Sequence, residues 1–165
     1  MILQMFKKTK SLNFERSYRA PVETVWRAWT QPEILRQWWG PENTLVPQCD
    51  VDLRVGGRLY VVMEAGAAMG KYRGTRWPME GTFTRIEDNA RLTYDARSWT
   101  EGEEEGSTIH HTNDVTFVQR EEMTTVHLHI AVSKIGHKAK MAAFGMKWGY
   151  KQQLDKLENF LSQQS

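Results

Sequence analysis

The 165-residue chain carries 25% charged and 40% hydrophobic residues, a balance that suits one domain able to bury about 70% of the surface its unfolded form exposes. Its 22 Lys and Arg against 20 Asp and Glu leave a formal net charge of +2, short of the basic excess that nucleic-acid backbones require. No stretch approaches the roughly 20 apolar residues of a membrane-spanning helix, so neither nucleic acid nor a membrane span is expected.

The opening "MILQMFKKTK" puts its apolar residues before its charges, and the apolar run is too short for a secretory signal. "LNFERSYR" then alternates apolar and polar residues, which predicts a first strand from about Ser11 to Arg19. In "APVETVWRAW" the period changes: Val22, Val25, Trp26 and Trp29 stand at i, i+3, i+4 and i+7 on one helical face, with Pro21 as the first helical residue. "TQPEILRQWW" starts a second short helix, with Thr30 or Gln31 as cap, Pro32 in the first turn and Glu33 at the positive end of the helix dipole. Gly40-Pro41 stops it.

Two strands follow around Gly56-Gly57, a pair that supplies the positive φ angles of a tight turn. On the first of them Cys49, Val51 and Leu53 share the face expected to point inward. Cys49 is the only cysteine, so no internal disulfide can form; this suits a reducing compartment, and the cytoplasm is expected. Residues 64–78 carry three glycines without a period and read as a long loop. Two more strands flank Glu87-Asp88-Asn89-Ala90, the acidic "TEGEEEGS" connects onward, and a final hairpin turns near Glu121. From Ser133 to about Gln163 the pattern is helical, with Ala139, Ala143, Met146, Tyr150, Leu154, Leu157 and Leu161 on one stripe. Hairpins with segregated helices make an α+β class with an antiparallel sheet of six to seven strands, in one domain spanning residues 1–165. Seven Trp, six Phe, five Tyr and eight Met suit a wide, adaptable apolar interior.

"APVETVWRAWTQPEILRQWWGP", "DLRVGG", "MEGTFTRI" and "GYKQQLDKLENFL", at this spacing, resemble the helix-grip fold of the SRPBCC superfamily. More narrowly, the chain resembles the family like the C-terminal domain of the activator of the heat-shock-protein-90 ATPase. It departs at Gly149-Tyr150, where that family usually has Gly-Trp. The resemblance implies a curved antiparallel sheet gripping the long helix, with a cavity between them closed at one end by the two short helices. In related families that cavity takes lipids, sterols or polyketides. The chaperone link in the family name implies a possible protein partner, although the chain has no room for the N-terminal domain of the eukaryotic cochaperone.

Within that frame the adjacent Trp38 and Trp39 project about 100° apart if both are helical, so one is expected in the core and the other at the cavity. With Glu121-Glu122 as a two-residue turn, Thr116 pairs with His127 and Asp114 with His129, and Val115 and Phe117 face inward. Counting back at period two brings His111 and Asn113 to the inward face, where convergent polar groups orient a ligand. Phe83, Tyr94, Met146 and Tyr150 complete the expected ligand-binding set. Tyr94 and His111 are the candidates for proton transfer if the cavity belongs to an enzyme of cyclase or aromatase type. No G-x-S-x-G, H-E-x-x-H or phosphate loop is present, so neither hydrolysis nor a cofactor is expected. Asp114, His127 and His129 face outward together, an ordinary arrangement on a solvated sheet, and no metal is expected. Met141, Phe144 and Trp148 form a second apolar stripe opposite the core stripe, expected to meet a second copy of the chain or the loop around Trp77.

Overall fold

A computed structural model describes residues 10–164; all of the opening segment except Lys10 lies outside the described residues. The elements run β1 (Lys10–Tyr18), α1 (Val22–Thr30), α2 (Pro32–Trp38), β2 (Thr44–Val51), β3 (Arg58–Ala65), a 3₁₀ helix (Ala67–Tyr72), β4 (Arg76–Glu87), β5 (Arg91–Ser98), a single turn α3 (Glu104–Ser107), β6 (Ile109–Arg120), β7 (Met123–Ile135) and α4 (Lys140–Ser162). The seven strands form one curved antiparallel sheet in the order β1-β7-β6-β5-β4-β3-β2. Because β1 and β2 occupy opposite edges, the segment between them must cross one end of the sheet, and α1 and α2 make that crossing.

The final hairpin has the register that period two and a two-residue turn dictate. Thr116 pairs with His127 and Asp114 with His129, while Glu121 takes the positive φ of 57° that the turn needs. Ile109, His111, Asn113, Val115 and Phe117 are all buried, so the alternation survives an irregularity between His110 and His111. The helix α4 lies on this face. Ala143, Leu154, Leu157 and Leu161 are buried against it, and Met146 and Tyr150 are half-buried.

Several boundaries differ from the sequence pattern, each for a local reason. Pro21 has ψ 150° and precedes the helix as its cap instead of entering it. β2 stops at Val51, and the N–H of Asp52 bonds back to the carbonyl of Arg58, which leaves Leu53 39% exposed and not interior. This turn is so tight that a Cβ at Gly57 would stand 2.0 Å from the Asp52 carbonyl oxygen. The glycine-rich loop is shorter than its composition suggests, since β3 reaches Ala65, a 3₁₀ turn follows, and β4 begins at Arg76. At the other end of the chain, β7 continues to Ile135 because Ile109 and His110 pair with Ile135 and Lys134. A turn closed by Gly136 N–H to the carbonyl of Thr108 then delays the long helix to Lys140.

Candidate functional site

A cavity of about 330 Å³ lies between the sheet and the N-terminal half of α4. Its size comes from what α4 lacks: Ala142, Gly145 and Gly149 stand at i, i+3 and i+7 on the wall, and a Cβ built on either glycine would meet nothing within 4 Å. Met63 of β3, Trp77 and Met79 of β4, and Trp99 after β5 furnish the apolar surface opposite, with Met69 of the 3₁₀ helix at one side. Among the described residues the wall holds no Lys, Arg, Asp or Glu.

The corner at Trp38 to Gly40 closes one end, and it separates the two tryptophans by ending the helix between them. Trp38 is the last residue of α2 and is fully buried; its ring stands 4.8 Å from that of Trp29, and its indole N–H donates to the carbonyl of Ala28 at 2.9 Å. That bond satisfies one of the carbonyls left open at the end of α1. Trp39 has left the helix, at φ −68° and ψ 143°, and its ring joins the cavity wall. Gly40 follows at φ +85°, where a Cβ would stand 2.6 Å from Thr44 Oγ1. Side chains of α4 hold this corner. Gln153 Oε1 accepts from Gly40 N–H at 3.0 Å, Gln152 Oε1 accepts from Glu42 N–H at 3.2 Å, and Lys156 Nζ donates to the carbonyls of Trp39 and Gly40 at 3.2 Å each. Burial lowers the affinity of the Lys156 amine for its proton.

At the sheet side of the cavity the polar groups centre on His111. Burial holds its imidazole neutral, with a pKa lowered to about 4. Asn113 Nδ2 stands 2.7 Å from Nδ1 and Ser98 Oγ 3.0 Å from Nε2, so both ring nitrogens are engaged by side chains. His111 and Ser98 both line the cavity, as does Ser107, whose hydroxyl accepts from Thr100 N–H at 3.0 Å. Tyr150 reaches the wall from α4, and burial raises its phenol well above the ordinary range, so it is a proton donor at neutral pH.

Of the expected ligand-binding residues, the structure brings Trp39, His111, Met146 and Tyr150 onto this wall. The others stand behind it. Trp38 packs on Trp29, and Phe117 packs edge-on against Trp26 at 5.3 Å and Trp29 at 6.2 Å, filling the space between α1 and the sheet. Phe83 and Tyr94 pack on one another at 6.0 Å in the core, and Asn113 serves His111. Sequence reasoning missed Gln153, Ser98, Trp99 and the methionines of β3 and β4. A signal existed for Gln153: it follows Met146 and Tyr150 at i+7 and i+3, a polar residue on an otherwise apolar stripe.

The outward cluster is engaged elsewhere. Arg91 grips Asp114 with two hydrogen bonds of 2.9 and 2.7 Å, His129 Nδ1 meets Asn13 Oδ1 at 2.6 Å, and His127 faces Glu15 at 3.4 Å. Among the described residues no three His, Cys, Asp or Glu side chains converge to hold a metal ion. Cys49 is half-buried with its thiol pushed up to about 12 by desolvation, which leaves it unreactive. Met141, Phe144 and Trp148 are 81, 77 and 65% exposed. They do not pack on the loop around Trp77: their face of α4 is turned outward, while Ala142, Gly145 and Gly149 line the cavity.

No described helix is long and apolar enough to cross a membrane. The fold matches that of a protein from Nitrosomonas europaea, 25% identical, with 93% of this chain and 95% of that one covered at a TM-score of 0.72. Proteins of Chromobacterium violaceum (20% identity, 92% and 96% covered, TM-score 0.73) and Staphylococcus epidermidis (22%, 96% and 93%, 0.71) have the same fold. No curated protein matches the sequence. The family model described as Activator of Hsp90 ATPase homolog 1-like protein matches residues 19–162, and the chain belongs to that family.

Proposed function

We propose that this protein binds a small, largely apolar molecule in the cavity between the sheet and α4. The observation that carries the reading is the cavity itself: about 330 Å³ of space walled by Trp39, Trp77, Trp99, Met63, Met79 and Tyr150, with His111 and Ser98 at one side. That size and that mix of many apolar groups with a few placed polar ones are what small-molecule sites require. Apolar area removed from water supplies affinity at about 25 cal/mol per Å², and the polar groups orient the guest. The protein would work without a bound cofactor, in the cytoplasm, where its single free thiol is stable. Of the two candidates for proton transfer in a cyclase or aromatase activity, His111 lines the cavity and Tyr94 stands behind the wall. Native mass spectrometry of freshly purified protein tests the binding reading. A retained small molecule is expected, together with a raised Tm on adding lipids or polyketides from a library; repeated absence of both would sink it.

A second reading rests on the exposed stripe of α4. Met141, Phe144 and Trp148 form an apolar patch suited to a second copy of this chain or to a chaperone of the kind in the family name. Trp148→Glu should weaken such a complex and leave the cavity unaffected. Unchanged sedimentation and unchanged capture of a purified chaperone would dispose of this reading alone.

A further inference from the structure

Three buried side-chain polar atoms have no hydrogen-bond partner among the described residues: Trp29 Nε1, Asn113 Oδ1 and Gln153 Nε2. Of the three residues only Gln153 lines the cavity. Turning its amide over would not relieve the deficit, because Oε1 already accepts from Gly40 N–H at 3.0 Å, and a backbone N–H can only donate. The amide is therefore locked, and Nε2 is left with its donors unpaired in a side chain that is 4% exposed. Native interiors seldom leave a buried donor in that condition.

We propose that Gln153 Nε2 donates to a carbonyl oxygen of the bound molecule, and that the ligand class is uncharged, mostly apolar and carbonyl-bearing. The proposal rests on the cavity-binding reading above and adds the chemistry of the guest. A hydrocarbon would leave the Gln153 donor unpaired. A carboxylate would be desolvated beside a wall that, among the described residues, offers no cation, a costly arrangement. Lys156 reaches the same corner, but its ammonium is directed to the carbonyls of Trp39 and Gly40. A second donor points the same way. In the His111 tautomer whose Nε2–H is directed to Ser98 Oγ at 3.0 Å, the Ser98 hydroxyl proton is left for the guest. A carbonyl oxygen offers two lone pairs and brings no proton that needs its own acceptor.

Equilibrium dialysis of the full chain with three probes of one ring system separates the possibilities: 2-acetylnaphthalene, 2-isopropylnaphthalene and 2-naphthoate. The ketone should bind about tenfold more tightly than the hydrocarbon, the gain expected of one hydrogen bond to an otherwise unpaired donor, and naphthoate should bind least. In Gln153→Leu the ketone and hydrocarbon should bind almost equally. Equal binding of the two in the unaltered protein, tightest binding of naphthoate, or an undiminished ketone preference in folded Gln153→Leu would overturn this inference while leaving the cavity reading intact. Binding of none of the three would overturn both. The comparison in the unaltered protein decides the matter even if Gln153→Leu does not fold.

Discussion

The side-chain oxygen of Gln153 and the backbone N–H of Gly40 meet at 3.0 Å across 113 positions of sequence. This contact ties the middle of α4 to the residue that follows the tryptophan pair, so the wall of the cavity and its closed end are positioned by one another. Lys156 strengthens the same corner through two backbone carbonyls. Substitutions here should couple stability to binding, whereas substitutions on either side should separate them.

Gly40→Ala is expected to be much more costly than Gly74→Ala. Both glycines have φ near +85° (85° and 84°), but a Cβ at Gly40 would also press on Thr44 Oγ1 at 2.6 Å and Met63 Sδ at 2.9 Å, while one at Gly74 meets nothing within 4 Å. Thr44 cannot yield freely, since its hydroxyl donates to the carbonyl of Pro41 at 2.6 Å. Urea denaturation should show a loss of about 1 kcal/mol for Gly74→Ala from backbone strain alone. Gly40→Ala should lose about 2 kcal/mol or more; equal losses would mean that the corner is looser than described.

The paired tryptophans should separate by phenotype. Trp38→Phe removes the indole bond to Ala28 and opens a void beside Trp29, which should cost about 2 to 3 kcal/mol and leave affinity for a cavity ligand nearly unchanged. Trp39→Phe alters the cavity wall and should change affinity severalfold at a smaller stability cost. Chemical denaturation and ligand titration on the two variants check this, and the opposite assignment of effects would refute it.

Acid should weaken the fold through His111. Unfolded, its imidazole takes up a proton near pH 6.5; folded and buried, it resists until about pH 4. Between those values the unfolded chain binds more protons, so stability is full above pH 6.5 and falls as pH drops through the window, by at most about 3 kcal/mol. His111→Gln should begin less stable at pH 7 and lose less between pH 6.5 and 4. Urea midpoints at pH 7, 6, 5 and 4 for both proteins measure the difference, and parallel slopes would show that His111 is not the group responsible.

Gly149→Leu should fill the cavity without injuring the fold. A Cβ there has open space within 4 Å, and the position lines the wall. Replacing a helical glycine by a good helix former should add stability of up to about 1 kcal/mol, while any ligand that needs the space should bind at least tenfold more weakly. Unimpaired binding by a folded Gly149→Leu would place the ligand elsewhere.

How far the sequence could be read depended on the range of the interactions. The β6–β7 register was legible because alternation and a two-residue turn leave no freedom, and the same counting placed His111 and Asn113 inward. Leu53 was misjudged because the turn at Asp52 breaks the alternation before reaching it. The start of α4 was misjudged because β7 extends as far as its partner strand offers pairing. The residues that line the cavity with Trp39 and His111 were harder still: Met63, Trp77 and Trp99 are ordinary apolar positions until the curvature of the sheet brings them face to face.

By itself the sequence determined the order of elements, the α+β class and the inward face of the last hairpin, since these follow from periods of two and 3.6 residues and from local turn chemistry. It also required that the two tryptophan rings differ, but not which did what. Only the tertiary structure decided that. Trp38 ends the helix with its N–H committed to Ala28, while Trp39 leaves the helix to join the wall. Tertiary contact likewise locked the Gln153 amide against Gly40 and left its Nε2 without a partner, because a hydrogen bond across more than a hundred residues leaves no trace in local periodicity.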